Sequence, residues 1–428
     1  GDGWRGLWGV VAAVSVALGP DGAIGLDNGV GLTPPLGWST WMTCGDPTCG
    51  HDVCNEVEVK AAASAMAGNG MQALGYNHVV LDDCWASHRN ASGALTADPD
   101  RFPSGIAGLA EWLHGRGFKL GVYTSAGNVT CSSGGRPYPV PGSRGHYGID
   151  AKTFASWGVD YVKLDWCGDI KKDLLAGKQA HQDFAAAMNA TGRAMFIEVV
   201  AGYFFMGPTE VNTVANAWRF CEDHHDEWSS TSEQLLCRVD QGGRSGQPGG
   251  WPFMDLLMTG GAGCTPFSKG SHCPGQSNDE YRTAFALWAL TQSPLLVATD
   301  VRHMTAVMNQ TLLNPELVAM HQSTATPPGE YTAPWQCTEP LSCQVWTRKL
   351  LLAGASQPSW LVGLVNLGKK NHSITVEWSH LGVPDGTTAA VHDVWDGGRL
   401  ITNASKSWSA EVSTHGTVLV HIVPRAVW

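Results

Sequence analysis

Tyr161-Val162-Lys163-Leu164-Asp165 alternates polar or amphipathic residues with branched apolar ones. In an extended strand successive side chains point to opposite faces, so Tyr161, Lys163 and Asp165 share one face while Val162 and Leu164 share the other. An ammonium and a carboxylate on an inward face are costly to bury unless they are paired or put to use. A strand whose apolar side packs on helices and whose polar side opens into a site at its carboxyl end is the unit of a parallel barrel. The neighbouring Lys163 charge favours the ionised form of Asp165, as a nucleophile requires. A structural ion pair is the competing account of the same residues.

Outward from this segment the same rhythm repeats. From Leu36 to Gln322 short β-branched or aromatic runs alternate with longer Ala/Leu-rich amphipathic segments. Strands are expected at Leu36 to Trp41, His78 to Asp82, Lys119 to Thr124, Tyr161 to Asp165, Met195 to Val200, Ala217 to Phe220, Phe253 to Leu257 and Leu295 to Ala298. Helices are expected at Glu56 to Met71, Ile106 to Gly115, Lys178 to Ala190 and Asp279 to Leu290. Eight strand-helix units over about 290 residues match the size of a (β/α)8 TIM barrel. A doubly wound open sheet would want a glycine-rich phosphate turn after an early strand, and the sequence has none there. After Pro327 alternating runs at Trp360 to Val365, His372 to Trp378, Ala389 to Val394 and Thr417 to Val423 are separated by Gly, Asn and Asp turns, which reads as an antiparallel β-sandwich. The fold class is therefore α/β, with an expected division into an N-terminal segment (1–30), a catalytic barrel (31–325) and a β-sandwich domain (326–428).

Two further strands deliver polar groups to the same rim. His78-Val79-Val80-Leu81-Asp82-Asp83-Cys84-Trp85 ends on adjacent carboxylates, and Lys119-Leu120-Gly121-Val122-Tyr123 ends on a phenol. Mg or Ca wants more oxygen ligands than this stretch gathers, so the two acids are better read as acceptors for hydroxyl groups. Trp218-Arg219-Phe220-Cys221-Glu222-Asp223-His224-His225-Asp226-Glu227-Trp228 packs four acids, two His and an Arg into one short segment. Glycoside hydrolysis with retention needs a second carboxyl about 5 Å from the nucleophile to protonate the leaving oxygen. By spacing alone Glu222, Asp223, Asp226 and Glu227 all compete for that role. The vicinal His pair lacks a third ligand at helical spacing, so no metal is expected, and no cofactor motif is present.

Composition narrows the remaining classes. A formal net charge of -11 with scattered Lys and Arg offers no basic face for nucleic acid or an anionic membrane. Twelve Cys and no CxxC knuckle point to disulfides in an oxidising compartment rather than to zinc. Sequons at Asn90, Asn128, Asn189, Asn309, Asn371 and Asn403 agree with passage through a secretory pathway. Arg5 followed by the apolar run Leu7 to Leu18 has the texture of a signal peptide, and a buried N-terminal segment is the equal alternative. No run of eighteen apolar residues is present to span a membrane.

Together these motifs resemble glycoside hydrolase family 27, the α-galactosidases and α-N-acetylgalactosaminidases. The resemblance runs from Leu32 to about Gln322 and is carried by Pro35-Leu36-Gly37-Trp38, Leu81-Asp82-Asp83-Cys84-Trp85, Lys119-Leu120-Gly121-Val122-Tyr123, Tyr161-Val162-Lys163-Leu164-Asp165-x-Cys167 and Trp218-Arg219-x-x-x-Asp223. Leu287-Trp288-Ala289-Leu290-x-x-x-Pro294-Leu295 and Thr299-Asp300-x-Arg302 add to it. It implies a retaining exo-glycosidase acting on terminal α-D-galactosyl residues, with Asp165 as nucleophile and Asp223 as general acid/base. It further implies that Arg219 steadies the 2-substituent, that Asp82 and Asp83 bind the 4- and 6-hydroxyls, and that Trp38, Tyr123 and Lys163 complete the pocket. The family pattern also pairs Cys44 with Cys84, Cys49 with Cys54 and Cys131 with Cys167; proximity leaves Cys221 with Cys237, Cys264 with Cys273 and Cys337 with Cys343.

The sequence departs from the family in three places. The fifth-strand loop that usually reads Cys-Glu-Trp is Phe196-Ile197-Glu198-Val199-Val200-Ala201-Gly202, with Glu198 as the stand-in for the family Glu. The usual Trp-Asn-Asp-Pro-Asp-Met is Trp251-Pro252-Phe253-Met254-Asp255-Leu256, which keeps Asp255, and Trp166 after the nucleophile is also unusual. An α-N-acetylgalactosaminidase, a β-L-arabinopyranosidase and a catalytically silent sugar-binding protein are the alternatives these changes leave open. The expected partner is a carbohydrate substrate, with a homodimer admitted and an extracellular, lysosomal or vacuolar destination.

Overall fold

The computed structural model describes residues 26–41, 53–131, 139–200, 206–240, 246–261, 273–333, 342–352, 354–355, 357–384 and 386–425. Most of the expected N-terminal segment, including the signal-like run, therefore lies outside the described residues. In chain order the first lobe runs β1 (Leu36–Ser39), α1 (Glu56–Gly68), β2 (His78–Leu81), the hairpin β3 (Ala86–Arg89) and β4 (Leu95–Ala97), α2 (Gly105–His114), β5 (Lys119–Ser125), α3 (Tyr147–Ser156) and β6 (Tyr161–Asp165). It continues with α4 (Leu174–Asn189), β7 (Phe196–Val199), α5 (Pro208–Val211), β8 (Ala217–Arg219), α6 (Trp228–Asp240), β9 (Trp251–Phe253), α7 (Asn278–Leu290), β10 (Leu295–Val297), α8 (Ala306–Leu312) and α9 (Pro315–Gln322).

The helices begin where side chains can satisfy their first free N–H groups. Asn55 caps α1, Asp173 caps α4 and Asn314 caps α9 with Pro315 at its first turn, while Ser277 and Glu280 form a reciprocal capping box on α7. Eight parallel strands line up in the order β10-β1-β2-β5-β6-β7-β8-β9. The ring closes where Leu257 bridges to Val297: the Leu257 N–H donates to Leu296 O at 2.8 Å and the Ala298 N–H donates to Leu257 O at 2.9 Å. This is the (β/α)8 barrel.

Strand register sorts the side chains. Tyr161 pairs with Phe196, Lys163 with Glu198 and Tyr123 with Lys163, so these residues face the barrel axis. Val80, Tyr161, Phe196, Ala217, Trp251 and Leu296 form the apolar plug of the interior, while Val79, Leu81, Val162, Leu164, Ile197 and Val199 join the helix-facing core.

The second lobe is an antiparallel sandwich. Its six-stranded sheet orders β11 (Glu330–Ala333), β12 (Cys343–Leu350), β13 (Ser359–Asn366), β18 (Thr417–Pro424), β15 (Thr388–Asp393) and β16 (Arg399–Ser405); β14 (His372–Glu377) pairs with β17 (Ser407–Val412). Val345, Val362, Leu364, Ile374, Val376, Trp378 and Ile422 form the core between the two sheets. Trp346, Leu350, Leu361 and Leu419 on the other face join the core of the first lobe, where α7 packs on β12, β13 and β18.

Two expectations need adjustment. The seventh barrel strand is Trp251–Phe253 rather than Phe253 to Leu257; Asp255 takes φ 70°, a left-handed conformation that ends regular pairing, and Leu257 rejoins the ring only as a bridge. The structure joins Cys54 to Cys84, with Cα atoms 6.1 Å apart, which replaces both the Cys44–Cys84 and the Cys49–Cys54 pairings. Cys54 lies at the entry of α1, within disulfide reach of Cys84 just past β2. Cys44 and Cys49 lie outside the described residues. Cys131 is joined to Cys167 and Cys221 to Cys237. Cys273 and Cys343 are each disulfide-bonded, and Cys264 and Cys337 lie outside the described residues.

Candidate active site

At the carboxyl ends of the barrel strands lies a cavity of about 240 Å³. Asp82, Asp83, Tyr123, Lys163, Asp165, Arg219, Asp223 and Asp255 all line it, so eight of the ten expected site residues, drawn from five strand ends, come together.

Asp165 ends β6 and is held in place on both carboxylate oxygens. The Tyr123 hydroxyl donates to Oδ2 at 2.8 Å, and the Trp166 backbone N–H donates to Oδ1 at 2.7 Å. Burial raises its carboxyl above the usual range, Lys163 and the two donors pull it back, and Asp223 pushes it up again. The turn below is tight: a Cβ on Gly127 would sit 1.8 Å from Cys167 O, so only glycine lets the two loops meet under the Cys131–Cys167 disulfide.

Asp223 lies on the loop after β8. Arg219 Nη2 donates to its Oδ1 at 2.9 Å, and its side chain stays 62% exposed. Burial works to raise this carboxyl, but Arg219 by charge and hydrogen bond, with help from Lys163 and His225, holds it below the usual range. The same guanidinium meets Asp255 Oδ2 through Nη1 at 3.1 Å. Asp255 Oδ2 also accepts the His224 N–H at 2.8 Å, and its carbonyl accepts Trp288 Nε1–H at 2.8 Å. Its left-handed backbone costs on the order of 1–3 kcal/mol and is fixed by these contacts. On the opposite wall Lys163 Nζ donates to Asp82 Oδ2 at 2.7 Å, a pair buried at both ends.

Two expected site residues stand elsewhere. Trp38 is fully buried and donates its Nε1–H to Thr299 O at 3.0 Å. The barrel-facing residues of β1 are Gly37 and Ser39, in register with His78 and Val80; Trp38 belongs to the other face and packs in the helix-side core. By the same alternation Trp41 reaches the cavity, and it does line it. Parity along Gly37-Trp38-Ser39-Thr40-Trp41 was the signal that could have found it. Glu198 faces the axis, but two residues below Val200, which lines the cavity; Glu198 is 2% exposed and accepts the Tyr161 hydroxyl at 2.5 Å. Trp166, Lys171 and Glu222 also line the cavity, beside Cys131, Cys167 and Cys221; nothing in local pattern singles out Lys171.

Among the described residues the single cluster with metal-ligand spacing is Cys131, Asp165 and Cys167. Its two sulfurs are joined to each other and offer no thiolate. His224 is engaged with Leu256 O at 2.7 Å and Thr231 Oγ1 at 2.9 Å.

The family comparisons agree with this geometry. Residues 33–323 match the model for alpha galactosidase A, and residues 342–422 match the alpha galactosidase C-terminal beta sandwich domain. An alpha-galactosidase from Cyamopsis tetragonoloba is 34% identical over 401 residues, covering 94% of this chain and 88% of that protein. The crystal structure of alpha-galactosidase I from Mortierella vinacea superposes with a TM-score of 0.78 at 28% identity, covering 92% of this chain and 98% of the other. A β-L-arabinopyranosidase from Geobacillus stearothermophilus, at 22% identity and a TM-score of 0.75 over 93% and 98% of the two chains, shares the fold. With its barrel, its sandwich and most of its length matched in this way, the chain belongs to the α-galactosidase family of glycoside hydrolases, family 27.

Proposed function

We propose that the protein is a retaining exo-α-galactosidase in which Asp165 is the nucleophile and Asp223 the general acid/base. The observation that carries this reading is the pair of carboxylates on one pyranose-sized cavity, one held from both sides by Tyr123 and Trp166 and the other half-exposed at the mouth beside Arg219. Asp165 attacks the anomeric carbon while protonated Asp223 gives its proton to the departing glycosidic oxygen, forming a covalent galactosyl ester. Asp223, now a carboxylate, takes a proton from water as that water attacks the same carbon, and Asp165 leaves. Two inversions return the α configuration. Asp82 and Asp83 accept hydrogen bonds from ring hydroxyls, and Lys163, locked on Asp82, donates to the same region. Tyr123 holds the Asp165 carboxylate in aim, and Arg219 donates near the 2-substituent.

The six sequon asparagines are all exposed, which supports glycosylation and passage through the secretory pathway to the exterior, a lysosome or a vacuole. No described helix is long and apolar enough to cross a membrane. A homodimer and the division of the chain at residues 30 and 325 belong to the same reading.

The test is a comparison of initial rates on matched aryl α-galactoside, α-N-acetylgalactosaminide and β-L-arabinopyranoside, with proton NMR of the first sugar released. A dominant α-galactoside rate with α-galactose as first product is expected. A dominant rate on either other sugar, or β-galactose as first product, overturns it.

A further inference from the structure

Glu198 is a buried acid that the double displacement does not use. It stands in the layer beneath the cavity, and its carboxylate accepts a hydrogen bond from Tyr161, whose ring is itself fixed by stacking on Phe196 at 4.9 Å. Strand pairing sets Glu198 beside Lys163 on β6 and Ala217 on β8, with Arg219 two residues beyond Ala217 on the same face. Around the barrel Asp82, Lys163, Glu198, Arg219 and Asp255 follow one another with alternating sign, and Asp165 stands two residues beyond Lys163 on the same face. Each cation grips its acid on the side away from Glu198: Lys163 holds Asp82 at 2.7 Å, and Arg219 holds Asp255 at 3.1 Å. Among the described residues Arg219 Nε has no hydrogen-bond partner. With an uncharged residue between them, two buried cations would face each other across β7.

We propose that Glu198 is a positioning residue: its carboxyl, set between Lys163 and Arg219, governs how the two cations are held at the cavity floor and hence how tightly the sugar binds. The inference rests on the reading of that cavity as the sugar site. Burial pushes the Glu198 carboxyl up to about 7, while Lys163, Tyr161 and Arg219 favour its ionised form and Asp255 opposes it. The group therefore gains its charge between mildly acidic and neutral solution.

Glu198→Gln keeps the size and an acceptor for Tyr161 but never ionises. We expect its KM for an aryl α-galactoside to equal that of the parent well below pH 7 and to exceed it roughly tenfold well above, the equivalent of one pKa unit of coupling, with kcat moving less. Glu198→Asp should restore most of the lost affinity. Tyr161→Phe removes a donor that lowers the Glu198 pKa, so the pH at which it titrates should move up. A KM ratio that is the same on both sides of the titration, or no change at any pH, overturns the proposal.

Thermal unfolding of the parent and Glu198→Gln needs no substrate. Because the folded-state pKa is raised, Glu198 contributes stability below its unfolded value of 4.5, and this is lost as pH rises through about 7. The Tm difference between the two proteins should shift over that window. If the parent turns over no α-galactoside, the sugar assignment fails and this Tm comparison still decides the charge ring; a Tm difference independent of pH overturns it.

Discussion

At the scale of single residues, the proposed chemistry turns on two carboxyls whose environments differ in kind. Asp165 sits above its usual range through burial, and Asp223 sits below it through Arg219. The first must be ionised to attack, and the second must be protonated to help the leaving group. In the free enzyme the productive pairing is thus a minor form, and kcat/KM against pH should give a bell that falls on the acid side through the lowered pKa of Asp223 and on the alkaline side through the raised pKa of Asp165; a profile with no alkaline limb would contradict this. Asp223→Ala should lose about 10²- to 10⁴-fold on substrates with poor leaving groups and much less on a dinitrophenyl galactoside, with azide rescuing turnover as α-galactosyl azide. Equal losses on both substrates would remove Asp223 from the acid role. The family motif chose Asp223 from four acids that spacing left equal. Asp226, one of the four, instead accepts Tyr281 and Gln276 in the core beside α7.

At the scale of elements, what could be read from the chain followed how many faces each element covers. Barrel strands such as Tyr161–Asp165 carry a clear alternation because one face meets the axis and the other the helices. The strand β12 escaped notice because both of its faces are covered, one by the sandwich core and the other by α7; Gln344 and Arg348 are buried along with Val345 and Trp346. Arg348 is accommodated by donating to Met320 O at 2.7 Å, a partner no local pattern announces. Trp38 and Glu198 were misplaced for a related reason. A motif names residues, whereas parity and depth along the strand decide which reach the cavity. The Cys131–Cys167 link spans 36 residues and ties the loop after β5 to the turn that follows Asp165. Replacing both by Ala should cost about 3–4 kcal/mol in urea unfolding, as expected for a closed loop of that size. It should lower kcat more than it raises KM, because Asp165 loses its backing; unchanged stability and kcat would contradict the structural role.

At the scale of the molecule, α7 is the hinge pin of the two lobes. Thr283 and every residue from Ala284 to Leu290 are buried, because the barrel covers one side of the helix and the sandwich the other. His415, in the turn before β18, reaches Glu280 Oε1 at 2.6 Å and stacks on Trp228, and its carbonyl accepts the Thr283 hydroxyl at 2.8 Å. The lobes therefore share a core. Trp288→Ala should cost about 3–5 kcal/mol and lower a single unfolding transition; two separated transitions would show that the lobes unfold independently. The same shared frame fixes Asp255 through Trp288 Nε1 and leaves the barrel mouth as the place where charge, cavity and family motif coincide. The measurement that tests this most directly is covalent trapping with 5-fluoro-α-galactosyl fluoride, followed by peptide mapping of the labelled protein. One fluorogalactosyl group on Asp165, absent from Asp165→Asn, is the result the account predicts. A label on another residue would contradict it.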